Sequence, residues 1–251
     1  MSEGRIYIVG LGPGDSGYLT QDALAALKEA EDLIGYAPYV ARAPKRAGQI
    51  RLASDNRVEL DRAREALARA AAGRVVAVVS GGDPGVFAMA AAVFEAVDEG
   101  DPSWRELDIR VLPGISAMQA AAARLGAPLG HDFCAISLSD NLKPWEKVAQ
   151  RLEHAARGDF VMALYNPASR ARPTQIADAF SLLRSLLPPQ TPVIFARAVG
   201  REDEEILLTN LEQADVSLVD MATLVVIGAS GTRIVPRGNA RPWVYTSRRA
   251  P

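Results

Sequence analysis

Three short glycine-bearing loops carry the most pointed chemistry in this sequence. They read GLGPGD (10–15), SGGDPG (80–85) and PGISA (113–117), and each follows an apolar, β-rich run. Glycine lets another group approach the main chain, because no Cβ stands in the way. A tight turn needs one or two such residues, yet Gly81-Gly82-Asp83-Pro84-Gly85 supplies five glycine, proline and aspartate positions in a row. In open α/β sheets ligands bind beyond the carboxyl ends of the strands, where all three loops would fall. The dinucleotide fingerprint G-x-G-x-x-G does not fit. The glycines here are Gly10, Gly12 and Gly14, so the third comes one place early, with Pro13 between. No G-x-x-x-x-G-K-[ST] occurs, which removes a P-loop. One such loop alone could be only a turn; three at one edge of one sheet point to a bound small molecule.

The elements that must position these loops alternate along the first half. RIYIVG (5–10), DLIGYAPYV (a strand and loop), QIRLAS (49–54), RVVAVVS (74–80) and DIRVLPG (108–114) read as strands. LTQDALAALKEAEDL (19–33) has apolar residues at helical spacing with Thr20 as N-cap, and DRAREALARAAAG (61–73) ends on Gly73 as a C-cap. A further helix is expected from about 85 to 98. This β-α-β rhythm predicts a mostly parallel sheet with helices on both faces. The second half has strand candidates at 133–139, 160–166, 192–199, 205–210 and 223–230, with helices near 144–157 and 172–187. Its last strands lie close together, which predicts a mixed sheet. The expected architecture is α/β, two tandem αβα domains with a five-stranded sheet each. The spans are 1–120 and 121–251, with the active site in the cleft between them.

The totals set bounds. The chain has 251 residues, 49% hydrophobic, with 28 basic and 30 acidic residues and a net charge of -2. That balance gives no support for a nucleic-acid partner, and no apolar run is long enough to span a bilayer. One cysteine allows no internal disulfide, and the N-terminus has no signal-peptide pattern; a cytoplasmic protein is expected.

Taken together and in order, Gly10-Leu11-Gly12-Pro13-Gly14-Asp15, Gly81-Gly82-Asp83-Pro84-Gly85 and Gly114-Ile115-Ser116-Ala117 resemble the tetrapyrrole methylase family over nearly the whole chain. That resemblance implies S-adenosylmethionine as methyl donor, a tetrapyrrole acceptor, no metal and a homodimer. Three further stretches, GYAPYV (35–40), SLSDNLKPWE (137–146) and LYNPASRARP (164–173), resemble the branch that methylates C-17 of a corrin precursor while contracting its ring. The donor contacts implied are Pro13, Gly81, Gly82, Asp83, Val86, Ser116 and Ala117. In the second half they are Tyr165, Asn166, Ala198, Ala222 and Thr223. Asn166 departs from the family pattern, which often has Met there. A sulfonium donor carries its own activation, so the protein's task is to hold a nucleophilic carbon in line in a dry, oriented site.

A precorrin bears many carboxylates, for which arginine supplies a planar bidentate fork. Arg42, Arg170 and Arg172 are the leading candidates, with Arg46, Arg197 and Arg201 behind them. Ring contraction needs proton handling, and Asp15, Tyr36, Ser139, Asp140, Asn141 and Tyr165 sit at strand ends where they could provide it. Ser139-Asp140-Asn141 could equally cap the helix starting near Pro144. Two other functions stay open: methylation of a different tetrapyrrole carbon, and a carrier that holds a tetrapyrrole without reacting. The remaining chemistry-bearing types read as structural. His131 and His154 have no metal-ligand spacing, Cys134 sits within a strand, and Trp104, Trp145 and Trp243 are packing anchors. REDEE (201–205) is a solvated turn, and the tail YTSRRAP is expected to fray.

Overall fold

The structure is a computed structural model that describes residues 4–55, 58–169 and 173–249. The chain divides after Ser116 into two compact units. The division falls at the start of the helix Ala117–Leu125, ahead of the expected 120/121, because that helix packs on strands of the second unit.

In the first unit five strands, β1 (Arg5–Gly10), β2 (Asp32–Tyr36), β3 (Ile50–Ser54), β4 (Val75–Ser80) and β5 (Asp108–Leu112), form one sheet in the order β3-β2-β4-β1-β5. Every pairing is parallel. The inner strands β1, β2 and β4 are buried almost throughout, and each face of the sheet meets helices. Ile6, Ile8, Val76 and Val78 pack under α3 (Glu59–Ala71) and α4 (Met89–Glu99). Tyr7, Val9, Leu33, Ala77 and Val79 pack under α1 (Gln21–Glu29) and α2 (Ala37–Arg42). Thr20 caps α1, its Oγ1 accepting from Ala23 N at 3.2 Å. Asp32 lies fully buried at the start of β2, with both carboxylate oxygens bonded by Arg74 and a further bond from Arg69. Removing either partner would leave charge stranded in the interior.

Two expectations for this unit need correction. APYV continues from β2 into the short helix α2, not a loop, because Pro38 suits the first turn of a helix. The helix after SGGDPG starts at Met89, later than expected, because Phe87 takes a left-handed conformation that no helix can include.

The second unit holds a mixed five-stranded sheet of β7 (Phe133–Ser137), β8 (Val161–Tyr165), β9 (Pro192–Arg197), β10 (Glu205–Asn210) and β11 (Thr223–Ile227), ordered β10-β9-β11-β8-β7. Only β7 and β8 pair in parallel. Beneath α6 (Trp145–Arg157) and α7 (Gln175–Leu186) lies the core of Leu152, Met162, Leu164, Phe180, Leu183, Phe195, Val225 and Ile227. Helix α5 (Ala117–Leu125) packs on β11.

A third, three-stranded sheet joins β6 (Gly126–Ala127), β12 (Thr232–Arg237) and β13 (Ala240–Thr246), and the sequence reading missed it. Tyr245 and Thr246 therefore belong to a strand and not to a frayed tail. Thr246 is buried, and its Oγ1 donates to Pro128 O at 2.6 Å. Trp243 is half exposed on this hairpin with the Arg237 guanidinium 3.9 Å above its ring, so it is not a core anchor. Among the described residues no helix is long and apolar enough to cross a membrane.

Candidate functional site

The parallel topology of the first sheet delivers the turns after β1, β4 and β5 to one edge, since β1 lies between the other two. There the three glycine loops interlock. Gly12 and Gly82 exchange main-chain hydrogen bonds, Gly12 N to Gly82 O at 3.1 Å and Gly82 N to Gly12 O at 2.8 Å. A Cβ on Gly10 would lie 2.7 Å from both Gly114 N and Gly82 O, and a Cβ on Gly114 would overlap the Gly82 carbonyl oxygen. At Gly81 it would meet the Tyr39 ring at 2.7 Å. Gly12 and Gly82 have φ of +68° and +67°, which favours glycine in its own right. The glycines are thus required first by contact with each other and with Tyr39. The sequence alone pointed to tight turns or a bound ligand and did not show this contact between the loops.

Asp83 holds this knot together. Its Oδ1 accepts from Gly85 N at 2.8 Å and its Oδ2 from Gly114 N at 3.0 Å, so one carboxylate spans the second and third loops. Arg42 braces the first loop. Its guanidinium donates to Pro13 O at 2.9 Å and Gly12 O at 2.7 Å, and lies 5.6 Å from the Tyr39 ring centroid. Asp15 Oδ1 accepts from Gly17 N at 2.8 Å and caps the turn Ser16–Tyr18. Tyr36 ends β2 and stacks edge-on to Tyr39 at 5.4 Å. Ser116 is buried at the end of the third loop. Val86 N closes a turn onto Asp83 O at 3.3 Å.

The second unit gathers its candidates at the edge where β7, β8 and β9 end and β11 begins. Tyr165 Oη accepts from Met118 N at 3.1 Å, which ties the end of β8 to the first turn of α5 beside Ala117. Asn166 has φ of +53°, and its Nδ2 donates to Ser137 Oγ at 3.0 Å. Ala198 has φ of +49°, and its N–H donates to Ala222 O at 3.0 Å. Strained non-glycine backbone persists where the surroundings over-determine it, and it concentrates at functional sites.

Asp220, which the sequence reading did not single out, organises this edge. Its Oδ1 accepts from Ala222 N at 2.9 Å and Thr223 Oγ1 at 2.8 Å, and its Oδ2 from Arg197 Nε at 2.9 Å. Burial pushes this carboxyl up, but the hydrogen bonds from Thr223, Arg197 and Ala222 outweigh it and hold it below the usual carboxylate range. The signal in the sequence was the D-x-x-T pattern of a side-chain turn, Asp220 to Thr223.

Ser139, Asp140 and Asn141 do not cap α6. Pro144 occupies that position with no side-chain cap. Asp140 Oδ2 instead accepts from Gln175 Nε2 at 3.0 Å, at the start of α7. Asn141 N lies 3.5 Å from the Ser139 Oγ that accepts its hydrogen bond. Arg46 donates to Ala30 O at 2.7 Å and closes the end of α1, and Arg197 is paired with Asp220 and Asp203. Arg170 and Arg172 lie outside the described residues. Burial pushes the Cys134 thiol up, which keeps it protonated and unreactive. Among the described residues no group of three or more His, Cys, Asp or Glu is placed to hold a metal ion.

Taken by itself, the first edge offers main-chain donors and acceptors and the Asp83 carboxylate, and the second offers hydroxyls, small side chains and left-handed turns at Asn166 and Ala198.

Comparison with known proteins agrees with this chemistry. The family profile of tetrapyrrole (corrin/porphyrin) methylases matches residues 5–215. The precorrin-3B C(17)-methyltransferase of a Sinorhizobium species is 57% identical over 245 residues, covering 98% of this chain and 96% of that protein. The probable cobalt-factor III C(17)-methyltransferase of Salmonella typhimurium is 40% identical over 238 residues, covering 92% and 98%. Among solved structures, the methyltransferase CobJ superposes with a TM-score of 0.92 at 52% identity, over 97% of this chain and all of that one. The uroporphyrin-III C-methyl transferase of Thermus thermophilus, solved with S-adenosyl homocysteine, gives a TM-score of 0.67 at 26% identity over 90% and 97%.

Proposed function

This chain belongs to the tetrapyrrole methylase family, and from that premise we propose that it methylates precorrin-3B at C-17 and contracts the ring to precorrin-4 in cobalamin biosynthesis. The observation that carries this reading is the 57% identity to a C(17)-methyltransferase along almost the entire length of both chains. S-adenosylmethionine supplies a methyl group already activated on a sulfonium, and the spent donor leaves as S-adenosylhomocysteine.

The chain's own part is to bind, orient and exclude water. Pro13, Gly81, Gly82 and Asp83 present main chain and one carboxylate to the amino-acid end and ribose of the donor, with Val86, Ser116 and Ala117 beside them. Tyr165, Asn166, Ala198, Ala222 and Thr223 serve the adenosine. Holding the reacting carbon in line can account for roughly 7–11 kcal/mol of the barrier. Asp140, oriented by Gln175, and Tyr165, oriented by Met118 N, are the groups best fixed to handle protons during contraction. Asp15, Tyr36, Ser139 and Asn141 are further candidates for that role. Arg42, Arg170 and Arg172 are proposed to meet acceptor carboxylates; for Arg42 this would add to the bonds it already makes to Gly12 O and Pro13 O. Family membership further supports a homodimer, and the expected location is the cytoplasm.

The test is an incubation with S-adenosylmethionine and either metal-free or cobalt-containing acceptor, followed by mass spectrometry and absorption spectroscopy. Gain of one methyl with the spectrum of a contracted ring is the expected result. Methylation without contraction would assign a different carbon, and a spectral shift without mass gain would make the protein a carrier.

A further inference from the structure

Ser137 closes β7 with a hydroxyl that serves two loops at once. It is buried, and its Oγ accepts from Asn166 Nδ2 at 3.0 Å and from Ser139 N at 3.3 Å. A serine oxygen has two acceptor sites, and both are taken. The donors come from different turns: Asn166 follows β8, and Ser139 lies just past β7. Parallel pairing sets those turns side by side. Ser137 lies opposite Tyr165, and Leu138 N donates to Tyr165 O at 2.9 Å. Asn166 then turns away at φ of +53°, a conformation asparagine tolerates better than most residues, and its carboxamide folds back onto Ser137. On the other side Leu138 is fully buried, whereas Leu142 is 92% exposed. The chain therefore leaves the core between them, and the bond from Ser139 N to Ser137 stands at the root of that departure. From there Ser139 Oγ accepts from Asn141 N at 3.5 Å, and Asp140 Oδ2 from Gln175 Nε2 at 3.0 Å. Without the Ser137 hydroxyl both turns would lose a buried acceptor.

We propose that Ser137 is a positioning residue for the reaction. Its hydroxyl fixes the Asn166 turn, which serves the adenosine of the donor, relative to the Ser139–Asn141 loop, which handles protons on the acceptor. This rests on the methyltransferase function proposed above and on the roles given there to those two loops. Ser137 itself need touch neither ligand. It acts through Asn166 on one side and through Ser139 on the other, so one oxygen sets the distance between them. Displacing a reacting group by about 1 Å can slow a reaction about a hundredfold, so a link of this kind bears on turnover and not on donor binding alone. An apolar side chain of the same size would fill the space and leave the two loops independent.

Three variants test this. Ser137→Ala removes the hydroxyl and Ser137→Thr retains it. Asn166→Gly breaks the same link from its other end, at a φ that glycine accepts, and carries the test alone if Ser137→Ala does not fold. For Ser137→Ala the calorimetric Kd for S-adenosylhomocysteine is expected to rise about fivefold, the net worth of one hydrogen bond. At saturating donor and tetrapyrrole, kcat for methyl transfer is expected to fall about tenfold. Ser137→Thr should recover most of both. Asn166→Gly should lower kcat by a similar factor, and Ser137→Ala added to it should lower kcat little further. Wild-type kcat in either Ser137→Ala or Asn166→Gly would overturn the proposal while leaving the function standing; if S-adenosylhomocysteine affinity still fell, the hydroxyl would serve the donor turn alone. Losses that add in full in the double variant would overturn it by making the two residues independent. A kcat that Ser137→Thr leaves as low as Ser137→Ala does would overturn it by tracing the loss to packing. Wild-type protein that transfers no methyl to any tetrapyrrole would remove the function itself, and the proposal with it.

Discussion

At the edge of the first sheet, main chain meets main chain. A Cβ on Gly10 or Gly114 has no room beside the Gly82 carbonyl, and the Asp83 side chain spans the second and third loops. The edge of the second sheet is made the other way. Asp220, Ser137 and Tyr165 hold its turns through side-chain hydrogen bonds, and left-handed positions fall on Asn166 and Ala198 as well as on Gly200. The difference follows from topology. An all-parallel sheet sends each strand-to-helix turn to one edge, where three of them must pass close together. In the mixed sheet the ends of β7, β8 and β9 share the edge with the starts of β10 and β11, and side-chain hydrogen bonds link the turns.

The largest expected effect comes from breaking the backbone knot. Gly114→Ala would drive a methyl into the Gly82 carbonyl and to 2.9 Å from Gly10 Cα, neither of which can move without unpairing Gly12 from Gly82. A loss of about 3 kcal/mol in urea denaturation is expected, the upper range for overpacking. A loss under about 1 kcal/mol would show that the loops give way, and the contrast between the edges would lose its basis.

Next come the carboxylates that stitch each edge. Asp83→Ala frees Gly85 N and Gly114 N, and a loss of about 2 kcal/mol is expected. Because it also loosens the loop assigned to the donor, calorimetry should show weaker S-adenosylhomocysteine binding. Unchanged affinity would confine Asp83 to a bracing role.

Asp220→Ala should cost less, about 1 kcal/mol, because the Asp220 side chain is 47% exposed and solvent weakens its bonds. It carries a pH signature. The folded carboxyl lies below the ordinary range, so its contribution is complete above the unfolded carboxylate pKa, about 3.9, and disappears as pH falls through the folded value. The stability gap between wild type and Asp220→Ala should therefore be constant from neutral pH to about pH 5 and close below about pH 4. A gap that persists under acid would mean the loss arises from packing.

This contrast also explains what could be read from the sequence. Glycine is the only residue that a main-chain crossing tolerates, so the first edge announces itself as GLGPGD, SGGDPG and PGISA. Two of the strands feeding it, β1 and β4, are almost wholly apolar runs, and Thr20 marks the start of α1 with the expected bond. The second edge leaves no comparable trace. Asp220, Ser137 and Gln175 are common residue types whose role depends on pairing across dozens of positions. The three-stranded sheet was missed because β12 is exposed along most of its length and β6 is two residues long. Its one local signal was Gly238-Asn239, a two-residue hairpin turn with φ of +55° at the glycine. The late start of α4 was hidden because an aromatic after SGGDPG reads as the first apolar position of a helix, and a left-handed phenylalanine has no propensity signature.

The smallest effect is the mirror image of the largest. Ala198 sits at φ of +49° with its N–H fixed on Ala222 O and its methyl buried. A left-handed L-residue costs roughly 1–2 kcal/mol, and glycine gives back about 0.5–1 kcal/mol of that gain through the freedom it loses on folding. Ala198→Gly should therefore raise stability by about 0.5 kcal/mol in urea denaturation, with Gly114→Ala measured alongside. Adding a Cβ would then break the first edge while removing one relaxes the second, as expected if only the first is built on main-chain contact. A loss from Ala198→Gly would show that the buried methyl outweighs the backbone strain. The second edge would then also depend on close packing, with alanine where the first uses glycine.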